Sequence, residues 1–251
     1  MTAVPKSDTS NGERIVRSPP LDVVAGGDDV SYNLNGQKLG RKGRDTRERI
    51  LAACIQVLED EGDEQVTMSA VARRAQLRMT SLYNYFADIT ELLLAVLEPV
   101  MTEAEDAFVA SLRGYWPDDE LAERSAAFLE AYHGFWSRNA RLLHWRNSMA
   151  DGGDQRMLIH RVRATQPLIL LLVAQMSGDP HDPDSPPVGM ATVMMTSIER
   201  VTTVSTDRSL TGLFGENMRR RSDHYLKPLA RVLELGIRDM RATMAGDAPG
   251  G

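Results

Sequence analysis

Cysteine is nearly absent from this chain of 251 residues, where Cys54 stands alone. That excludes an internal disulfide framework and any multi-cysteine zinc site. Aromatic residues make up only 6%. The longest strongly apolar run, residues 167–174, falls well short of the ~20 residues that cross a bilayer. The first ten residues are polar and lack the apolar segment of a secretory leader, so a cytoplasmic protein without membrane contact is expected. Positive charge is not in excess either: 29 Lys and Arg against 35 Asp and Glu leave a formal charge of −6. The whole molecule is therefore no indiscriminate polycation, and any contact with nucleic acid must come from a local patch. Catalytic signatures are missing as well, with no glycine-rich phosphate loop, nucleophile elbow, HExxH or CxxC. The five histidines show no close pair at metal-ligand spacing. Asp179, Asp182 and Asp184 lack the Gly and Glu of a calcium loop. Neither enzyme activity, metal nor cofactor is expected.

What is present is helical periodicity. Residues 1–40 hold eight Gly or Pro and one aromatic, too little apolar surface to offset the entropy of ordering, and read as a disordered tail. Beyond them the apolar positions recur at helical spacing, and no segment alternates as a strand does. A first helix is expected over about 46–61, with Ile50, Leu51, Cys54, Val57 and Leu58 on one face. A second begins near Thr67, whose hydroxyl suits the cap. After a short turn a third spans 79–85. A fourth starts at Asp88, and Pro99 should bend it. The rest reads as a bundle. Its helix over about 154–176 is apolar nearly all round between 168 and 173, as befits the middle of a bundle. Two long helices, about 188–204 and 217–243, close the chain, and Pro228 implies a kink or restart in the last. Residues 246–251 should be a flexible end.

Three short helices after a basic arm, the last two joined by a tight turn, describe a helix-turn-helix. The carrying segments are Arg-Glu-Arg-Ile-Leu-Ala-Ala at 47–53, Val-Thr-Met-Ser-Ala-Val-Ala-Arg-Arg-Ala at 66–75 and Thr-Ser-Leu-Tyr-Asn-Tyr-Phe at 80–86. On these the sequence resembles the tetracycline-repressor (TetR) family of transcriptional regulators. Charge agrees. Residues 41–49 carry five basic side chains against two acidic ones, residues 73–87 carry three and none, and the acidic run 59–64 lies between. Folding would thus segregate one positive face on an acidic protein. With Leu82 and Phe86 turned to the core, the DNA-facing candidates are Arg41, Lys42, Arg44, Thr67, Arg78, Met79, Thr80, Ser81, Tyr83, Asn84 and Tyr85. The resemblance implies that Tyr83 and Ser81 touch phosphate, while Thr80, Asn84 and Tyr85 lie over bases or adjacent backbone. The basic arm of Arg41, Lys42 and Arg44 would extend along the minor groove or its phosphates. Three positions depart from the family pattern: Gln76 replaces a turn glycine, Arg78 a capping serine and Ile89 a lysine.

The expected architecture is all-α, with a helix-turn-helix DNA-binding domain at 41–90 and an effector-binding and dimerisation bundle at 91–245. The resemblance implies a ligand cavity in that bundle. Candidate lining residues are Phe108, Trp116, Phe128, Tyr132, Trp136, Trp145, Arg163, Gln166 and Met194, each of which is also an ordinary core candidate. Arg163 and Gln166 stand out as polar residues on an apolar helix. The apolar lining favours a hydrophobic effector. The last two helices would pair with their mates in a homodimer. The function expected is a ligand-responsive repressor that releases double-stranded operator DNA. The alternative is a ligand-binding or scaffold protein whose helix-turn-helix never meets DNA.

Overall fold

The computed structural model describes residues 38–60, 66–179, 181–182, 184–207 and 222–246. Residues 1–37 of the tail expected at 1–40, the first turn of the last helix (217–221) and residues 247–251 of the end expected at 246–251 lie outside them. The described residues are nearly all helical, joined by turns and short loops. They form α1 (Arg41–Glu59), α2 (Met68–Arg74), α3 (Met79–Leu82), α4 (Ile89–Ala107), a 3-10 turn at Val109–Leu112, α5 (Leu121–Arg138), α6 (Ala140–Asp151), α7 (Gln155–Gln175), α8 (Pro186–Thr206) and α9 (Ser222–Gly246).

The first three helices enclose a small core. Ile50, Cys54, Val57 and Leu58 of α1 meet Val71 and Ala72 of α2, and Leu82 and Phe86 close it from the third. α4 carries this core into the rest of the molecule through Leu92, Leu93, Val96 and Leu97. Burial pushes the Cys54 thiol up to about 12, so it is a packed apolar group rather than a nucleophile.

α1 begins five residues earlier than the sequence suggests. Gly40 is its N-cap, and Thr46 donates from its hydroxyl to the Lys42 carbonyl at 2.9 Å inside it. The basic residues therefore extend a helix instead of forming a loose arm. Long straight side chains such as Arg and Lys favour helix, which an expectation built on apolar periodicity does not register.

α4, α7 and α9 run unbroken through Pro99, Pro167 and Pro228. The restart expected at Pro228 does not occur. At Pro99 the ring leaves the Ala95 carbonyl without its usual donor. α5 packs along α9 and α8, while α7 lies on α6 and α8.

α7 is not the central helix of the bundle. It buries Met157, Leu168, Leu172, Val173 and Gln175, yet Leu158, Ile159, Val162 and Leu170 are exposed. By length and composition alone this helix could span a membrane, but its first half carries Arg156, His160, Arg161 and Arg163 and its inner face packs on its neighbours.

Candidate functional site

The turn between α2 and α3 is closed by backbone. Leu77 N–H donates to the Ala72 carbonyl at 2.9 Å and Gln76 N–H to the Arg73 carbonyl at 3.1 Å. That paired pattern requires a left-handed residue between them, and Gln76 takes it at φ 54°. The Thr67 hydroxyl caps α2, accepting from the Ala70 amide at 3.2 Å. α3 has no side-chain cap, because Arg78 stands at its N-cap and its side chain does not reach the amides. One helical turn then suffices, since Leu82 and Phe86 are fully buried on one side while Arg78, Thr80, Tyr83 and Asn84 are exposed on the other. Met79, Ser81 and Tyr85 are half-buried, with Met79 and Tyr85 packed against the core edge.

Cations flank this outer face. Arg73 and Arg74 are exposed at the end of α2, and Arg74 pairs with Asp60 at the end of α1. The Arg47 guanidinium lies over the Phe86 ring at 5.5 Å, a cation–π contact that fixes α1 against the α3 segment. Arg41 and Lys42 are exposed in the first turn of α1. Arg44 bends back to donate to the Leu39 carbonyl at 3.3 Å. Gly43 permits this start: a Cβ there would sit 3.0 Å from Leu39 Cδ2.

The head is tied to the bundle at the N-terminus of α4. Asp88 caps α4, accepting from the Glu91 amide at 2.9 Å, and also pairs with Arg156 of α7 at 2.9 Å. Asp154 caps α7, accepting from the amides of Arg156 and Met157, and takes a 2.6 Å hydrogen bond from the Thr90 hydroxyl of α4. Each cap thus holds the other helix. Burial pushes the Asp88 carboxyl up, but the Glu91 amide and the Arg156 guanidinium outweigh it and hold the group below the usual carboxylate range. Asp154 is likewise held low, since the Thr90 hydroxyl and the Met157 amide outweigh its burial.

Five of the nine cavity candidates form one aromatic array inside the bundle. Phe108 meets Tyr132 edge-on at 5.0 Å and Phe128 at 6.3 Å. Trp116 lies 6.3 Å from Phe128, and Trp136 lies 6.2 Å from Tyr132. Trp116 is also locked by backbone: its amide donates to Gln175 Oε1 at 2.9 Å and its indole N–H to the Ser111 carbonyl at 2.8 Å. Trp145 is half-buried, with an indole N–H that is buried and has no acceptor. Met194 lies apart, between α8 and α9. Arg163 and Gln166 do not enter the interior. Both are exposed on α7.

The buried charge lies elsewhere. Arg146 of α6 keeps only 4% of its side chain exposed, 3.7 Å from Glu199 of α8, with its guanidinium over the Trp136 ring at 5.6 Å. Burial lowers the Arg146 pKa, and it raises that of the Tyr132 phenol. In the sequence, Arg146 shares a helical face with Leu142, Leu143 and Ala150, and that position was the readable signal of a cation held inside.

These features define a helix-turn-helix head joined by one long helix to a helical bundle. Residues 50–96 match the family model for bacterial regulatory proteins of the tetR family. Among solved structures, the fatty acid degradation regulator FadR from Bacillus halodurans is similar at a TM-score of 0.55 and 14% identity, over 80% of this chain and 99% of that one. A TetR-like transcriptional regulator from Rhodococcus sp. RHA1 is 19% identical over 83% of this chain and 100% of its own, at a TM-score of 0.48. A TetR family regulator from Marinobacter aquaeolei VT8 is 20% identical over 78% and 98%, also at 0.48. No curated protein matches the chain in sequence. The chain has the fold of a TetR-family transcriptional regulator and carries that family's amino-terminal module.

Proposed function

We propose that this protein is a sequence-specific, dimeric DNA-binding regulator, a repressor that leaves its operator when a small hydrophobic effector enters the bundle. The observation that carries the reading is the outer face of the α3 segment. It offers Arg78, Thr80, Tyr83 and Asn84 to solvent, flanked by Arg73 and Arg74, on a chain whose net charge is −6. Phosphate contacts would supply salt-dependent affinity and base edges the sequence choice. On this reading residues 41–90 are the DNA-binding domain, residues 91–245 form the effector and dimer domain, and the protein works in the cytoplasm.

The dimer reading rests on α8 and α9. Met190, Met194, Val232, Leu235, Gly236, Arg238 and Asp239 line a shallow groove between them. Val193 at 64% and Val232 at 53% exposure flank a face that a second copy would cover. Met194 and Ile198 are buried within the chain, while Val193 on the same helix is exposed. A two-fold pair would set two α3 segments at major grooves ~34 Å apart or a multiple of it.

Capture of genomic fragments on the purified protein, followed by a salt titration on the enriched sequence and on random DNA, tests this. A regulator gives tight selective binding above a weak, salt-sensitive background. Equal affinity for both sequences at every salt concentration would favour the scaffold alternative.

A further inference from the structure

A second hollow lies outside the bundle interior, where the head meets the effector domain. It has a volume of about 290 Å³ and is walled by Ile55, Leu58 and Glu59 of α1, Val96 and Val100 of α4, and residues 137–142 of the α5–α6 corner. That is close to the ~300 Å³ lower end of small-molecule sites. The walls differ in chemistry. Apart from Glu59, the α1 and α4 side is aliphatic, and Ile55 keeps 42% of its surface exposed there. The corner presents Ser137, Arg138, Asn139 and Arg141.

Donors on that corner outnumber acceptors. Arg138, Arg141 and Glu59 make no ion pair among the described residues. Arg141 Nη1 is buried with no acceptor. The N-terminus of α6 is also uncapped, because Asn139 turns its amide to donate to the Phe135 carbonyl at 3.0 Å. Two guanidinium groups and the positive end of a helix therefore meet an apolar wall, with Glu59 as the only carboxylate among the described residues of the lining. An anion beside these two guanidinium groups would gain charge-assisted hydrogen bonds.

We infer that this junction is a binding site for a small amphipathic carboxylate, its acid group on Arg141, Arg138 and the α6 amides and its apolar body against Ile55, Val96 and Val100. Because its walls belong to both head and effector domain, occupancy stabilises their present relative placement and so biases the separation of the two heads. The binding half of this inference stands without DNA; the regulatory half rests on the reading proposed above.

Octanoate, octanol and octylamine share one apolar body and differ in head group. With the isoleucine and valine methyls of the full-length protein isotope-labelled, octanoate is expected to shift Ile55, Val96 and Val100 saturably. Octanol and octylamine should bind about tenfold more weakly or worse, the loss of one charge-assisted contact. Arg141→Gln and Arg138→Gln should each weaken octanoate by about tenfold with an unchanged melting curve. Ile55→Trp should fill the hollow and block binding. Unshifted methyls, equal binding of octanol, or octanoate affinity indifferent to both arginine variants would each overturn the site. If octanoate binds as described yet leaves operator affinity unchanged, the regulatory half falls. If no operator is found, the DNA reading falls and the methyl shifts still decide the site.

Discussion

Single residues carry the contrast between the proposed reading of DNA and holding the fold. Tyr83 is 46% exposed and lies between Leu82 and Asn84 on the turn that ends α3, with its ring clear of the core. Tyr83→Ala should therefore leave helicity and melting temperature unchanged while weakening operator binding by roughly tenfold or more per head, the worth of a hydrogen bond to a charged phosphate. Unaltered affinity in a filter-binding assay would remove α3 from the interface. Gln76 is the opposite case, a residue whose backbone matters more than its side chain. At φ 54° it occupies the left-handed region, which costs a residue with a Cβ about 1–2 kcal/mol. Gln76→Gly should raise stability by about 1 kcal/mol, or about 2–4 °C in melting temperature for a chain of this size. A lower melting temperature would show that the Gln76 side chain makes a contact worth more than the strain. The departure from a turn glycine was legible in the sequence, and its φ angle shows why glycine suits that position.

At the scale of elements, the paired caps of α4 and α7 make the joint between head and bundle sensitive to acid. His160 of α7 borders the groove with Leu94, Glu98 and Met101 of α4. Burial, reinforced by the charges of Arg146 and Arg163, pushes its pKa down to about 4. The unfolded chain would bind this proton near pH 6.5 and the folded one only near 4, so stability falls as pH drops through that window. Asp88 and Asp154 act lower. Their folded pKa values are depressed, so the stability they contribute is present above ~3.9, the unfolded value, and is lost as pH falls through the folded values. His160→Gln should flatten the melting temperature between pH 6.5 and 4 and leave the steeper fall below 4 in place. Asp154→Ala should remove a cap worth about 1 kcal/mol and soften the lower fall alone. A single unchanged profile for both variants would show that neither group titrates on unfolding.

Element order and type follow from spacing, and so most helices were legible in the chain. What spacing does not convey is which face of an apolar helix meets its own chain. α7 reads as a core helix because its second half is apolar all round, and there Leu168, Leu172 and Val173 are buried and Leu170 is exposed, while the first half leaves Leu158, Ile159 and Val162 outside. The same ambiguity places Arg163 and Gln166 in solvent and Arg146 in the interior, since a long aliphatic stem lets arginine occupy either side. The aromatic residues were easier to place, because the drive to bury a large ring does not depend on which neighbour it finds.

Over the whole molecule, an exposed apolar face and a weak individual head have one common resolution. On the proposed function, one α3 segment, a single helical turn flanked by a few arginines, would contact too little DNA to select a site alone, and a second head would bind with it. The α8–α9 face is the surface on which a second copy would do this. Gly236 shows how tightly it is built: a Cβ there would fall 1.7 Å from Met194 Cε, so α9 lets that thioether lie directly across its backbone. Val232 and Leu235 extend the face outward and are exposed within one chain, so charging them removes nothing from its own core. Val232→Asp together with Leu235→Asp should give a folded monomer in sedimentation, with helical circular dichroism retained. Linking two heads raises apparent affinity by roughly a hundredfold to ten-thousandfold without any new contact, and the double variant should lose that factor on a two-half-site operator while its binding to a single half-site stays the same. A double variant that remains dimeric would move the two-fold axis elsewhere, and the exposed strip of α7 is the next surface to charge.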